Sequence, residues 1–108
     1  DGDDQLYAGK GDDTLKGGLG NDTMSGGGGA DLFVFETNAG DDFVSGFSSA
    51  QGDQLQLKGI TGFDDFSDVQ AAASQIGDDV VIDLGGGDSI TLAGVNLGDL
   101  HASDFLFG

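Results

Sequence analysis

The sequence predicts an all-β fold, a parallel β-solenoid of very short strands that ends in a cap with one short helix and a β-hairpin. Three observations carry this reading. Glycine, aspartate and a large apolar residue recur together every nine residues through the first third of the chain. The 108 residues include 22 Gly and 20 acidic side chains against 3 Lys plus Arg. Past Lys58 the period vanishes, and one helical stretch and two alternating stretches replace it.

The period is strict at first. Gly2, Gly11, Gly20 and Gly29 stand nine apart, as do Asp4, Asp13, Asp22 and Asp31, and Leu6, Leu15, Met24 and Phe33. Self-similarity at a fixed period is the signature of a repeat architecture. Two looser units follow, Gly40–Asp42–Val44 and Gly52–Asp53–Leu55, in which the Asp and apolar steps lengthen to eleven.

Each unit reads as a six-residue turn followed by three residues with one apolar side chain, the alternation of a very short strand. Gly in the turn allows backbone angles closed to other residues and lets carbonyls point at a shared centre. The Asp that ends the turn adds a carboxylate. Carbonyl and carboxylate oxygens, with neither nitrogen nor sulfur donors, suit a hard cation, and calcium tolerates the irregular geometry best. One turn cannot complete six or more ligands. Successive strands are therefore expected to alternate between two facing parallel sheets, so that turns n and n+2 stack about 4.8 Å apart. Asp4, Asp22 and Asp42 then line one edge, and Asp13, Asp31 and Asp53 the other. Main-chain carbonyls around Gly2, Gly9, Gly11, Gly18, Gly20, Gly27, Gly29 and Gly40 complete the expected donor set. The apolar residues at 6, 24 and 44 face those at 15, 33 and 55 across a thin core. Other glycine-rich motifs fit poorly: no Lys follows as in a phosphate-binding loop, and the single Glu, Glu36, leaves no EF-hand.

The units AGKGDDTLK (8–16), GGLGNDTMS (17–25) and GGGGADLFV (26–34) follow the nonapeptide G-G-x-G-x-D-x-U-x, with U a large apolar residue. Over about its first half the chain resembles the repeats-in-toxin (RTX) family, also called hemolysin-type calcium-binding repeats. Ala8 departs from the first Gly, and residues 36–42 depart further. The resemblance implies a right-handed parallel β-roll that binds Ca2+, about two to four ions over this many turns. It also implies a secreted bacterial protein, extracellular or at the cell surface.

From the second half we expect an amphipathic helix over 66–76, with Phe66, Val69, Ala72 or Ala73 and Ile76 on one face. Asp65 is its N-cap and Asp68 lies in its first turn. Val80, Ile82 and Leu84 alternate, as do Ile90 and Leu92, on either side of the GGGD at 85–88. This reads as a β-hairpin, extended by Val95 and Leu97. A solenoid needs a cap over its last core layer, and Phe33, Phe35, Phe43 and Phe47 are expected to widen the later coils toward it. Two units are thus expected: a calcium-binding β-roll over 1–58 and a capping region over 59–108. The segment from Gly87 to Phe107 resembles the C-terminal cap of RTX proteins. Asp104-Phe105-Leu106-Phe107 resembles the export signal of proteins that pass transiently through type I secretion machinery; it also fits an ordinary last strand packed on the cap.

Composition narrows function. A formal net charge of −17 with 3 basic residues disfavours nucleic acid and anionic membrane surfaces. No apolar run is long enough to span a membrane, and no secretory leader is visible. There is no Cys, hence neither disulfide nor thiolate site. A disordered acidic tail is contradicted by 37% hydrophobic residues in regular spacing. His101 is the lone histidine and no catalytic motif accompanies it, so the chain is read as a non-catalytic module whose parent protein carries any enzymatic part. Two roles remain: a calcium-triggered folding and secretion module, or a module that binds extracellular polysaccharide or surfaces, as in epimerases and adhesins. One Tyr, no Trp and Lys10, Lys16 and Lys58 as the sole bases disfavour an anionic polysaccharide.

Overall fold

The computed structural model describes residues 5–7, 9–16, 18, 20–36, 40–48, 51–58, 60, 63, 65–85 and 87–107. Among the described residues the repeats give six strands: β1 (Gln5–Tyr7), β2 (Thr14–Lys16), β3 (Thr23–Ser25), β4 (Leu32–Glu36), β5 (Asp41–Ser45) and β6 (Gln54–Lys58). They alternate between two sheets. One begins β1-β3-β5, the other contains β2-β4-β6, and every pairing among them is parallel. The register follows the repeat: Leu6 aligns with Met24 and Met24 with Val44, while Leu15 aligns with Phe33 and Phe33 with Leu55. A slip of one residue would turn each of these side chains to solvent. The two-sheet parallel roll expected from the period is the observed fold.

The coils thicken along the chain. β2 buries one residue, Leu15, whereas β4 buries both Phe33 and Phe35, and β6 both Leu55 and Leu57. Phe47 adds its ring 6.3 Å from that of Phe33. Phe43 does not contribute to this widening. Val44 takes the inward position on β5, so alternation turns Phe43 outward, between Thr23 and Thr91 of the neighbouring strands, and leaves it 38% exposed.

The second half forms helix α1 (Phe66–Ala72), strands β7 (Ala73–Ile76), β8 (Asp79–Gly85) and β9 (Asp88–Leu92), two short 3-10 turns, and β10 (Phe105–Phe107). The helix starts as expected. The Asp65 carboxylate accepts from the backbone of Ser67 and Asp68, and the Asp68 side chain closes the capping box. It ends earlier than expected, at Ala72. Residues 73–76 are instead a strand, antiparallel to β8, with Ile76 opposite Asp79 across the two-residue turn Gly77-Asp78. Gly77 has φ +61°, which suits a tight hairpin. Hairpin pairing outweighs the helix preference of the alanines, and Ile76 is 60% exposed rather than on a buried face. β8 and β9 form the expected hairpin, with an irregularity between Asp83 and Gly85. It is not extended by Val95 and Leu97: the chain turns at Ala93-Gly94, and Leu97 opens a 3-10 turn.

Both sheets run on past residue 58. β9 lies parallel to β5, with Leu92 over Val44, and β10 lies parallel to β6, with Phe105 over Leu55. The residues at 104–107 thus end in a strand that belongs to the roll. α1 packs its buried Val69 toward β8, and Phe66 meets the Phe105 ring at 5.5 Å. Among the described residues no helix is long and apolar enough to cross a membrane.

Candidate metal centre

The turns that precede β2, β4 and β6 stack along one edge, and those that precede β3 and β5 along the other. Asp13, Asp31 and Asp53 come together on the first edge, and Asp22 and Asp42 on the second. Asp4 and Gly2 lie outside the described residues. The aspartates form ladders through the backbone. Asp31 Oδ1 accepts from the Asp13 N–H at 3.0 Å, Asp53 Oδ1 from the Asp31 N–H at 2.7 Å, and Asp42 Oδ1 from the Asp22 N–H at 2.9 Å. The carbonyls of Asp13, Asp22 and Asp31 accept in turn from Leu32, Phe43 and Gln54, each at 2.8 Å.

Glycine permits the close approach. Gly29 has φ +86°, and any side chain there would strike the Gly11 carbonyl; Gly27 stands in the same relation to the Gly9 carbonyl. A Cβ at Gly26 would strike Asp31 Oδ2, so the bare first position of the unit makes room for its own carboxylate.

The carboxylates are buried at an electrostatic disadvantage. Asp22, Asp31, Asp42 and Asp53 are at most 3% exposed. Burial raises the Asp31 carboxyl above its ordinary range; the Asp13 N–H opposes this, and the charges of Asp53, Asp13 and Asp12 add to it. Asp42 is pushed up to about 7, first by burial and then by the Asp22, Asp88 and Asp41 charges, against the Asp22 N–H. Among the described residues, Oδ2 of Asp13 and of Asp31 are buried without a hydrogen-bond donor. An acceptor left so is destabilising, and a cation is the natural partner for it. No three acidic or histidine side chains converge among the described residues. A cation here would therefore need main-chain carbonyls for the rest of its shell. The turn carbonyls that the glycines expose have the right hard-oxygen character for calcium.

Asp53 is placed differently. Its Oδ1 accepts from Asp31, and its Oδ2 accepts from the Ser48 N–H at 2.8 Å, so both oxygens already hold donors. One residue the period did not point to joins the second edge: Asp88 Oδ1 accepts from the Gly40 N–H at 3.1 Å. The GGGD at 85–88, a glycine-rich turn ending in Asp, was the signal for it. His101 lies in the cap beside a cleft of about 430 Å³ that also involves Phe47, Asn96 and Asp99.

Residues 1–33 match the RTX calcium-binding nonapeptide repeat in 4 copies. The crystal structure of the extracellular lipase LipA from Serratia marcescens superposes with a TM-score of 0.79 at 28% sequence identity. The match covers 100% of this chain and 20% of the lipase chain, so the chain spans one fifth of that protein's length. No curated protein sequence matches.

Proposed function

From the premise that this chain carries RTX calcium-binding nonapeptide repeats over residues 1–33, we propose that it is a non-catalytic β-roll module that folds when Ca2+ fills its two aspartate edges outside the cell. In this reading it supports the export and stability of a larger extracellular protein. The observation that carries the proposal is the stack of buried aspartates with unsatisfied outer oxygens at Asp13 and Asp31, in a chain of net charge −17. The ligands are Asp4, Asp13, Asp22, Asp31 and Asp42, with carbonyls of the stacked glycine turns; Asp53 closes the first edge. Calcium supplies positive charge between turns that otherwise repel one another.

Sites built from turns that must be ordered on binding have modest affinity, in the roughly 10⁻⁴–10⁻³ M class of extracellular modules. The chain then stays unfolded where calcium is scarce and folds where it is plentiful. The C-terminal half folds first in this account, because Leu92 and Phe105 cover Val44 and Leu55 and offer a finished edge to the coils before them.

Circular dichroism and calorimetry of the chain in chelator and in millimolar calcium test the reading. The expected result is a weak β signal in chelator and a full one in calcium, with more than one ion bound. A β signal that is complete in chelator and indifferent to calcium overturns it. Residues 1–58 alone are expected not to fold in millimolar calcium; if they fold fully, the order of folding is wrong.

A further inference from the structure

The fifth residue of each repeat unit, just before the aspartate, is unspecified in the nonapeptide pattern. In the structure it carries a consistent contact. Asp12 Oδ1 accepts from the Ala30 N–H at 2.9 Å, and Asn21 Oδ1 accepts from the Asp41 N–H at 2.8 Å. Each bond joins a unit to the turn two units further on. Asp41, the fifth residue of its own unit, does the same through the Ser89 hydroxyl, which donates to Asp41 Oδ1 at 2.9 Å. Ala30 breaks the series: its methyl group has no acceptor to offer the turn of Gly52 that lies over it.

These contacts run opposite to the aspartate ladder. The fifth residue reaches forward, from Asp12 to residue 30 and from Asn21 to residue 41. The sixth reaches back, from Asp31 to the Asp13 N–H and from Asp42 to the Asp22 N–H. Two turns clipped in both directions can neither slide nor tilt without losing a bond. The forward bond ends on the residue directly before the aspartate whose carboxylate faces the edge, Ala30 before Asp31 and Asp41 before Asp42. It therefore sets where that carboxylate sits.

We propose that residue five of each unit, namely Asp12, Asn21 and Asp41, is a positioning residue that pre-orders stacked turns for the cation, and that the Ala30 turn is the unclipped weak point. The inference rests on the calcium reading of the edges. An exposed hydrogen bond contributes modestly, about two- to tenfold in a folding equilibrium. At a fixed calcium concentration that half-folds the parent chain, Asn21→Ala should lower the folding constant by about that factor. Asn21→Asp keeps the acceptor and should restore it. Ala30→Asn supplies the missing acceptor opposite the Gly52 N–H and should raise the folding constant above that of the parent chain. The measurement is circular dichroism of the full chain with the free calcium buffered. If Asn21→Ala does not fold at all, Ala30→Asn decides alone. A parental response from Asn21→Ala, no rescue by Asn21→Asp, or no gain from Ala30→Asn overturns the inference while leaving the calcium reading intact. A parent chain indifferent to calcium would instead sink that reading.

Discussion

Asp31→Asn should change the sign of its effect with calcium. The amide is the same size as the carboxylate. Its oxygen can keep the bond from the Asp13 N–H, now 3.0 Å, so the turn need not move. What disappears is a buried negative charge one coil away from Asp13 and from Asp53. At the strand spacing of about 4.8 Å, one such repulsion amounts to about 3 kcal/mol at an effective dielectric of about 20, and about 1 kcal/mol in bulk water. The calcium-free roll should therefore be stabilised by roughly 1–3 kcal/mol. With calcium present, the same change removes Oδ2, the oxygen proposed above as a ligand, which an amide nitrogen cannot replace. A site lost when calcium stands at a hundred times its Kd removes about 2.7 kcal/mol. Two titrations read the two signs. In chelator, refolding by trimethylamine N-oxide should need less osmolyte for the variant. In excess calcium, urea should unfold it at a lower concentration. A shift of the same direction in both conditions would refute the reasoning, because it would make Asp31 a purely structural acceptor.

Three further outcomes follow from the same structure. Asp42, held near 7 by burial, has a folded pKa above its unfolded one, so without calcium its contribution to stability is full below about pH 4 and is lost as pH rises through about 7. In the proposed site calcium displaces that proton, so the calcium needed for half-folding should fall between pH 6 and 8, and Asp42→Asn should flatten the dependence. Gly29→Ala drives a methyl group into the Gly11 carbonyl at φ +86° and should destabilise the calcium-loaded chain by about 2–5 kcal/mol; Gly28→Ala, with open space around it, should lie within about 1 kcal/mol of the parent, and thermal melts compare the two. Gln75→Ala removes a side chain whose Oε1 accepts from Leu97 at 2.6 Å and whose amide donates toward the carbonyls of Gly77, Asp79 and Val95. It should weaken the cap by about 1–3 kcal/mol, read by hydrogen exchange in β7 and the 93–97 loop.

The repeat half was legible because identical phase forces identical pairing. When Leu6, Met24 and Val44 occupy one place in the unit, a parallel register that aligns them is the one that turns them all toward the core. The aspartates follow, since each sits two residues before its apolar partner. The long-range parts were not legible. Nothing near Phe105 announces that it will pair with Leu55, fifty residues earlier. β7 was hidden inside an alanine-rich helical pattern, and the turn at Gly77-Asp78 was its only local sign. At Phe43, composition suggested core, but alternation with Val44 decided otherwise. The two aspartate edges were legible to the level of residue type. Period alone could not separate Asp53, whose second oxygen is taken by Ser48, from Asp31, whose second oxygen is bare. That difference depends on a loop outside the repeat.

The gradual thickening of the coils has a mechanical consequence. Successive strands of one sheet are separated by 18 residues at Leu6–Met24 and Leu15–Phe33, by 20 at Met24–Val44 and by 22 at Phe33–Leu55. In the sheet of β2, β4 and β6 the first strand buries Leu15 alone and the later ones Phe33 with Phe35 and Leu55 with Leu57. Tension applied at the thin end, along the roll axis, loads one strand pair at a time. The coils should therefore peel off singly, weakest first, each releasing about 60–80 Å of chain at roughly 3.3–3.6 Å per residue. The force should climb from step to step as the phenylalanine layers are reached. The roll would behave under load as a graded ratchet, yielding in small increments at one end while the other stays shut.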